Sequence, residues 1–278
     1  RACNFYYGNI SKKLEIKKET LPLNGNLKIS FDHIEVLSRN SKKKVHIKNI
    51  KKLPLFLKKK INKDLKIIIK KRKNFSNFNF KNIPNIMGIL NLTPDSFSDG
   101  GKFSKKKLAY RQVINLFKSG ANIVDIGGES TRPGSKEVKT NIEWNRIKIL
   151  IKKLKKISLS LDTRKSEIMK RGIKNGVKLI NDISGLKHDD KTLEVLKKNN
   201  IPFVIHHIQG NPSTMQINPK YKNVLFDIYD FFEQRIKHAR KNGIKHNHII
   251  IDPGIGFGKN LKHNMKLISN ISIFHSLG

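Results

Sequence analysis

A chain of 278 residues, 37% of them hydrophobic, is long enough for one barrel-sized domain or two smaller ones and apolar enough to bury a core. A formal net charge of +37, from 58 Lys and Arg against 21 Asp and Glu, would suit nucleic acid or an anionic membrane, but the lysines are spread along the whole chain with Asn and Ile, as an AT-rich coding sequence produces, so nucleic acid is not the expected partner. The single cysteine, Cys3, excludes a disulfide framework and suits a reducing cytoplasm, and no apolar run approaches the roughly 18 residues of a membrane span, so no membrane partner is expected either.

Residues 1–85 read as a small α+β region. Leu14-Glu15-Ile16 and Phe31 to Leu37 alternate like strands, Asn24-Gly25-Asn26 is a turn signal, Leu55 to Lys71 reads as a basic helix, and Asn74 to Asn82 as a polar linker. No catalytic pattern is visible there. An accessory or packing domain is expected, with a partner-binding module as the alternative.

From residue 86 onward the period is strand, loop, helix. Apolar strands are expected at 86–90, 123–124, 159–161, 179–180, 203–205 and 249–251. Helices are expected near 104–119, 141–156, 165–175, 189–199, 222–242 and 262–269, with Gly120, Gly176 and Gly243 as stops. This alternation implies parallel strands joined by right-handed crossovers, an α/β fold of the TIM (β/α)8 type spanning 86–278, with six of eight units visible. The chain opens at Arg1-Ala2-Cys3 without an initiator Met and stops at Leu277-Gly278, where a further strand is due, so a piece of a longer protein is expected.

Each of these strands ends in a polar residue: Asn91, Asp125, Asp162, Asn181-Asp182, His206-His207 and Asp252. In a (β/α)8 barrel the C-terminal ends of the strands carry the chemistry, so the pattern points to one active rim. Any one strand-end Asp, taken alone, reads best as a cap on the following helix; several carboxylates with an Asn at one rim do not. The loop Asn91 to Gly101 is dense in oxygen ligands. In Gly127 to Ser135, small residues permit close backbone approach and Arg132 offers a fork of donors suited to phosphate. Gly254-x-Gly256-x-Gly258-Lys259 fits the spacing of neither the dinucleotide fingerprint nor the Walker A loop.

The segment Met87 to Gly101 resembles the first signature of the dihydropteroate synthase family, and Gly127 to Gly134 its second. Asp162-Thr163, Ile180 to Ile183, His207 to Pro212 and Asp252 to Lys259 resemble further family motifs, so the likeness runs from about Ile86 to the chain's end. What the resemblance implies is a transferase of folate synthesis. It joins p-aminobenzoate to 6-hydroxymethyl-7,8-dihydropterin diphosphate and releases pyrophosphate. It further implies that Asp162, Asn181 and Asp252 hold the pterin, with Ile183 and Phe257 as apolar walls. By the same resemblance Asn91 binds Mg2+ with the diphosphate, Thr131 and Arg132 hold the leaving group, and Phe97 and Pro133 close over the second substrate. His207 is a phosphate-side or loop-ordering contact, with a satisfied core histidine as the alternative. A homodimer is carried as an expectation.

Two departures stand out. His206 occupies a position where the family more often has an apolar residue, commonly Met. The family's Ser-Arg-Lys strand end and a later basic motif lie outside these 278 residues, so this chain by itself is expected to be inactive. Two rivals are a pterin-binding methyltransferase of the same barrel family and a non-catalytic basic module for nucleic acid. The loops at 93–101 and 130–135 argue against the methyltransferase, whose reaction has no diphosphate to hold.

Overall fold

The computed structural model of the chain describes residues 1–72, 85–93, 102–130, 132 and 134–278, with main chain only at 102–105. The chain divides into two compact units. One comprises Arg1–Lys73 together with Tyr221–Glu233 and Met265–Gly278; the other comprises Asn74–Lys220 and Gln234–Asn264.

In the first unit the elements are β1 (Ala2–Tyr7), α1 (Gly8–Ile16), β2 (Leu21–Leu23), β3 (Asn26–Leu37), β4 (Lys42–His46), a 3-10 turn at Ile47–Lys52 and α2 (Leu55–Ile69). β3 is the central strand and pairs antiparallel with β1, β2 and β4. Ile61, Leu65 and Ile68 recur at helical spacing on α2 and are buried with Phe31, Ile34 and Val45 of the sheet. The later segments complete this unit: the Phe232 ring meets Phe274 edge-on at 5.5 Å, and the Ser272 hydroxyl donates to the Ala2 carbonyl at 3.1 Å. A linear reading could not assign them there.

One expectation is corrected. Leu14-Glu15-Ile16 is the last turn of helix α1, not a strand. Three residues of apolar-polar-apolar sequence fit either period, and tertiary contact decides: the Ser11 hydroxyl, fully buried, donates to the Leu27 carbonyl at 2.8 Å and lies 2.9 Å from the Ser30 hydroxyl, seating the helix on β3. The Phe31 to Leu37 strand, the Asn24-Gly25 turn and the α2 helix all form as the sequence predicts. The predicted linker falls outside the described residues.

The remaining elements run β5 (Met87–Asn91), α3 (Lys102–Lys118), β6 (Ile123–Gly127), α4 (Thr140–Lys153), β7 (Leu159–Asp162), α5 (Ser166–Lys174), β8 (Leu179–Asp182), α6 (Thr192–Lys198), β9 (Phe203–His206), α7 (Val224–Lys241), β10 (Ile249–Asp252) and α8 (Leu261–Ile268); all belong to the second unit except the start of α7, through Glu233, and the end of α8, from Met265. The six strands are parallel and neighbour one another in chain order from β5 to β10, the sequential winding of a TIM-type barrel. All six predicted helices form, each within a few residues of its expected ends.

Packing settles which face of each strand looks inward. Gly88 backs onto Leu116 of α3, and the Leu161 side chain reaches Gly172 of α5, so this parity faces the helices. The opposite parity holds Ile123, Leu179 and Val204, buried in one cluster with Met87 and Ile250 against it. Because side chains alternate along a strand, stepping two residues at a time from this cluster puts Asn91, Asp125, Gly127, Asn181, His206 and Asp252 on the same inner face. Register adds Asp162, which pairs with Gly127 on one side and Asn181 on the other.

Candidate active site

At the C-terminal ends of the strands, the inner face carries Asn91, Asp125, Asp162, Asn181, His206 and Asp252. Gly127 sits among them without a side chain, and the reason is steric. A Cβ there would lie 3.0 Å from Asn91 Oδ1 and 3.3 Å from Asp162 Oδ2, so the two oxygens flank bare backbone. Register pairs Asn91 with Gly127, Gly127 with Asp162, and Asp162 with Asn181, which brings three of the sequence-predicted groups into one row.

Asp125 is the group to which the sequence reading gave no role. It is 3% exposed, and Asn181 Nδ2 donates to its Oδ2 at 2.8 Å. Its other oxygen, Oδ1, is buried with no hydrogen-bond partner among the described residues, and so is Asn181 Oδ1. Burial pushes the Asp125 carboxyl above its ordinary value, against the opposing pull of Ser160 and Asn181. Asp162 is raised well above the usual carboxylate range, first by burial and then by the charges of Asp125, Glu143, Asp182 and Glu129. The signal was present in the sequence: a lone carboxylate at an inward position of the otherwise apolar strand Ile123-Val124-Asp125-Ile126.

Asp182, next to Asn181, points the other way and caps the following turn, accepting from Ser184 N at 2.8 Å, Ser184 Oγ at 2.6 Å and Leu186 N at 3.0 Å. Ile183 is buried. Asp252 Oδ1 accepts from Gly254 N at 2.8 Å, which aims the carboxylate. Phe257 stands edge-on to the His206 ring at 4.6 Å. His207 is buried, its backbone N–H donates to the Asp252 carbonyl at 2.9 Å, and its Nδ1 lies 3.0 Å from Lys259 Nζ. Lys259 also donates to the His207 and Phe257 carbonyls at 3.3 and 2.8 Å. Burial is the main reason the Lys259 amine falls to about 7 and the His207 imidazole to about 3. The Lys259–His207 contact ties the loop after β10 to the end of β9.

Behind the loop that follows β6 lies a charged network that sequence reasoning missed. Lys165 Nζ bridges Glu129 and Glu143, at 2.7 Å from the latter; Thr163 Oγ1 donates to Glu143 at 2.6 Å, and Arg164 to Glu129 at 2.6 Å. Arg146 donates to the Gly128 carbonyl at 2.7 Å. These groups lie on three segments well separated in sequence, so no local motif announces them. On the loop itself, Arg132 is exposed, while Ser135 closes a turn onto the Ser130 carbonyl at 2.7 Å. A cavity of about 250 Å3 lined by Glu129, Ser135, Glu137, Arg164, Asn211 and Ser213 adjoins this loop and includes none of the inner-face groups. Thr131, Pro133 and Phe97 lie outside the described residues.

The arrangement offers a floor of buried acceptors to a flat ligand rich in N–H donors. Among the described residues no set of three or more His, Cys, Asp or Glu is grouped to hold a metal ion. Asn91 Oδ1, an oxygen donor beside the bare backbone of Gly127, fits a hard cation that takes its other ligands from phosphate and water.

Comparison with known proteins identifies what these features are similar to. The pterin binding enzyme family matches residues 87–278. A dihydropteroate synthase of Haemophilus influenzae is 41% identical over 199 residues, 70% of this chain and 72% of that protein. The solved dihydropteroate synthase of Clostridium difficile, determined in the presence of pteroic acid, superposes with a TM-score of 0.67 at 38% identity, covering 72% of this chain and 75% of that one. That of Xanthomonas albilineans with 4-aminobenzoic acid gives 0.63 at 36% identity, over 68% and 67%.

Proposed function

The chain belongs to the dihydropteroate synthase family of pterin-binding enzymes, and from that membership and the inner-face geometry we propose how its residues perform the reaction. The carrying observation is the pair of orphaned acceptors, Asp125 Oδ1 and Asn181 Oδ1, beside Asp162. Leaving a buried acceptor unpaired costs about 1 to 3 kcal/mol, so a fold that keeps two of them is complementary to a ligand that supplies donors. The aminopyrimidine edge of a pterin does so, and Asp162, Asn181 and Asp252 are its holders, with Asp125 fixing the Asn181 amide through the 2.8 Å bond so that its oxygen faces the ring. Ile183 and Phe257 are the apolar walls.

In the reaction the bond between the pterin methylene and the diphosphate oxygen breaks, the amine nitrogen of p-aminobenzoate bonds to that carbon, and the amine proton is lost as pyrophosphate departs. The electron-rich dihydropterin ring stabilises the carbon as the old bond loosens, so a neutral amine suffices as nucleophile and the protein's part is positioning and charge. Arg132 and Thr131 hold the leaving group, and Phe97 and Pro133 close over p-aminobenzoate. Asn91 would hold Mg2+, whose charge offsets that of the diphosphate. We place the protein in the cytoplasm, in keeping with the free thiol of Cys3; among the described residues no helix is long and apolar enough to cross a membrane.

Calorimetric titration of the full-length protein with 6-hydroxymethyl-7,8-dihydropterin tests this reading. Asp252→Asn and Asn181→Leu should each weaken pterin binding by on the order of 2 to 3 kcal/mol. Unchanged affinity in both variants would sink the assigned pocket.

A further inference from the structure

We infer that His206 is a positioning residue for Asp252 and sets the acid limit of pterin binding: the neutral imidazole leaves the Asp252 carboxylate to the substrate, and the imidazolium takes it. This rests on the pterin-site reading above and adds to it a residue to which that reading gave no part.

The geometry is specific. His206 ends β9 and is the register partner of Asp252 on β10, so the two side chains leave the same face side by side. The ring is 3% exposed and stands edge-on to Phe257 at 4.6 Å. Its Nε2 is buried without a hydrogen-bond partner among the described residues. That nitrogen rests against the open side of Gly254, where a Cβ would come within 2.4 Å of it and within 2.0 Å of the His207 carbonyl oxygen; at φ +66° the position suits glycine on backbone grounds as well. The same residue's N–H donates to Asp252 Oδ1 at 2.8 Å. One glycine therefore makes room for the ring and aims the carboxylate.

A neutral imidazole leaves one nitrogen unsatisfied, whereas a buried imidazolium carries two N–H donors and a charge that need a partner, the larger penalty of the two. Among the described residues the charged and titratable groups that face it are Asp252 from β10, Lys259 from the loop after β10 and His207 next to it in the chain, and of these Asp252 alone can accept such a charge. Burial pushes the His206 imidazole below its ordinary value of 6.5, Asp252 pulls it up and Lys259 pushes it down. The sign follows. With the folded value depressed below 6.5, the ring is mostly neutral at pH 7 and charges as pH falls through that lowered value, where the imidazolium competes with pterin for Asp252. Pterin on Asp252 removes the one attraction that favours the proton, so binding below that value expels a proton, and affinity falls by at most about tenfold per pH unit.

The test is calorimetry of the full-length protein and of His206→Met with 6-hydroxymethyl-7,8-dihydropterin at a series of pH values on both sides of the ordinary imidazole value, in buffers of differing ionisation heat. Wild type should lose affinity on the acid side with release of a proton. His206→Met should lack that component of both slope and proton release, while pH effects from Asp125 and Asp162 persist equally in the two proteins. Identical acid limbs and identical proton release would overturn the inference. If the Met variant does not fold, the wild-type His206 ring resonance followed by NMR serves instead: its midpoint should move to lower pH on saturation with pterin, and an unmoved midpoint overturns the inference too. Asp252→Asn separates the two readings, since pterin affinity unchanged by that substitution would sink the pocket itself, whereas a weakened Asp252→Asn beside an unaltered His206→Met would sink only the role of His206.

Discussion

Two clusters of acidic side chains in the second unit are treated in opposite ways. Around Lys165, the carboxylates of Glu129 and Glu143 are matched by an ammonium, a guanidinium and a hydroxyl. On the inner face, Asp125 and Asn181 keep one oxygen each with no partner among the described residues, and Asp162 lies among four other carboxylates whose charges raise it. A satisfied network fixes the backbone that carries it. An unsatisfied one is stored demand, which a ligand with the right donors meets. Residue type alone does not separate structural from functional acids; the state of their lone pairs does.

Breaking the satisfied side should have the largest effect. Lys165→Met removes the one group that bridges Glu129 and Glu143 among the described residues; Glu129 keeps Arg164, but Glu143 keeps only the Thr163 hydroxyl, and a buried carboxylate left without its countercharge costs about 3 to 5 kcal/mol. Urea unfolding of the full-length protein should show that loss as a lower midpoint; a midpoint within error of wild type would mean that the network is incidental.

The unsatisfied side should respond in the reverse sense. Asp162 has a folded value raised above 3.8, so it binds its proton more tightly folded than unfolded, and its contribution to stability falls as pH rises from 3.8 through the raised value. Asp162→Asn should therefore raise the melting temperature at pH 7, with a gain that shrinks towards pH 4, while weakening pterin binding. Thermal melts at the two pH values check this, and a variant less stable than wild type at pH 7 would place Asp162 among the structural acids.

The smallest effect on the fold should come from Arg132, which is exposed on the loop after β6. Arg132→Ala should change stability by less than about 0.5 kcal/mol. It should nonetheless weaken binding of the pterin diphosphate and leave that of the pterin alcohol unaltered, because the two ligands differ only in the leaving group. Equal losses for both would assign Arg132 to the ring pocket or to folding.

Strand ends at Asn91, Asp162, Asn181 and Asp252 were legible because periodicity locates a strand and its last polar residue marks the rim. Asp125 was visible as a polar residue but not as a participant, since its role depends on Asn181 donating to it across an intervening strand. Lys259 stands in a glycine-rich motif whose spacing fits no nucleotide loop, and its contact with His207 spans 52 residues. The Leu14 to Ile16 segment was misassigned because three residues cannot distinguish a period of 2 from one of 3.6.

By itself, then, the sequence determined the parallel α/β order, the positions of the six strand–helix units and the chemical character of the rim, because these depend on local periodicity and on which residue ends each strand. Only the tertiary structure decided which parity faces inward, which acids are paired and which wait for a ligand, and that residues 221–233 and 265–278 join the N-terminal unit. Those outcomes depend on contacts between segments tens to hundreds of residues apart, and local pattern carries no record of a partner at that distance.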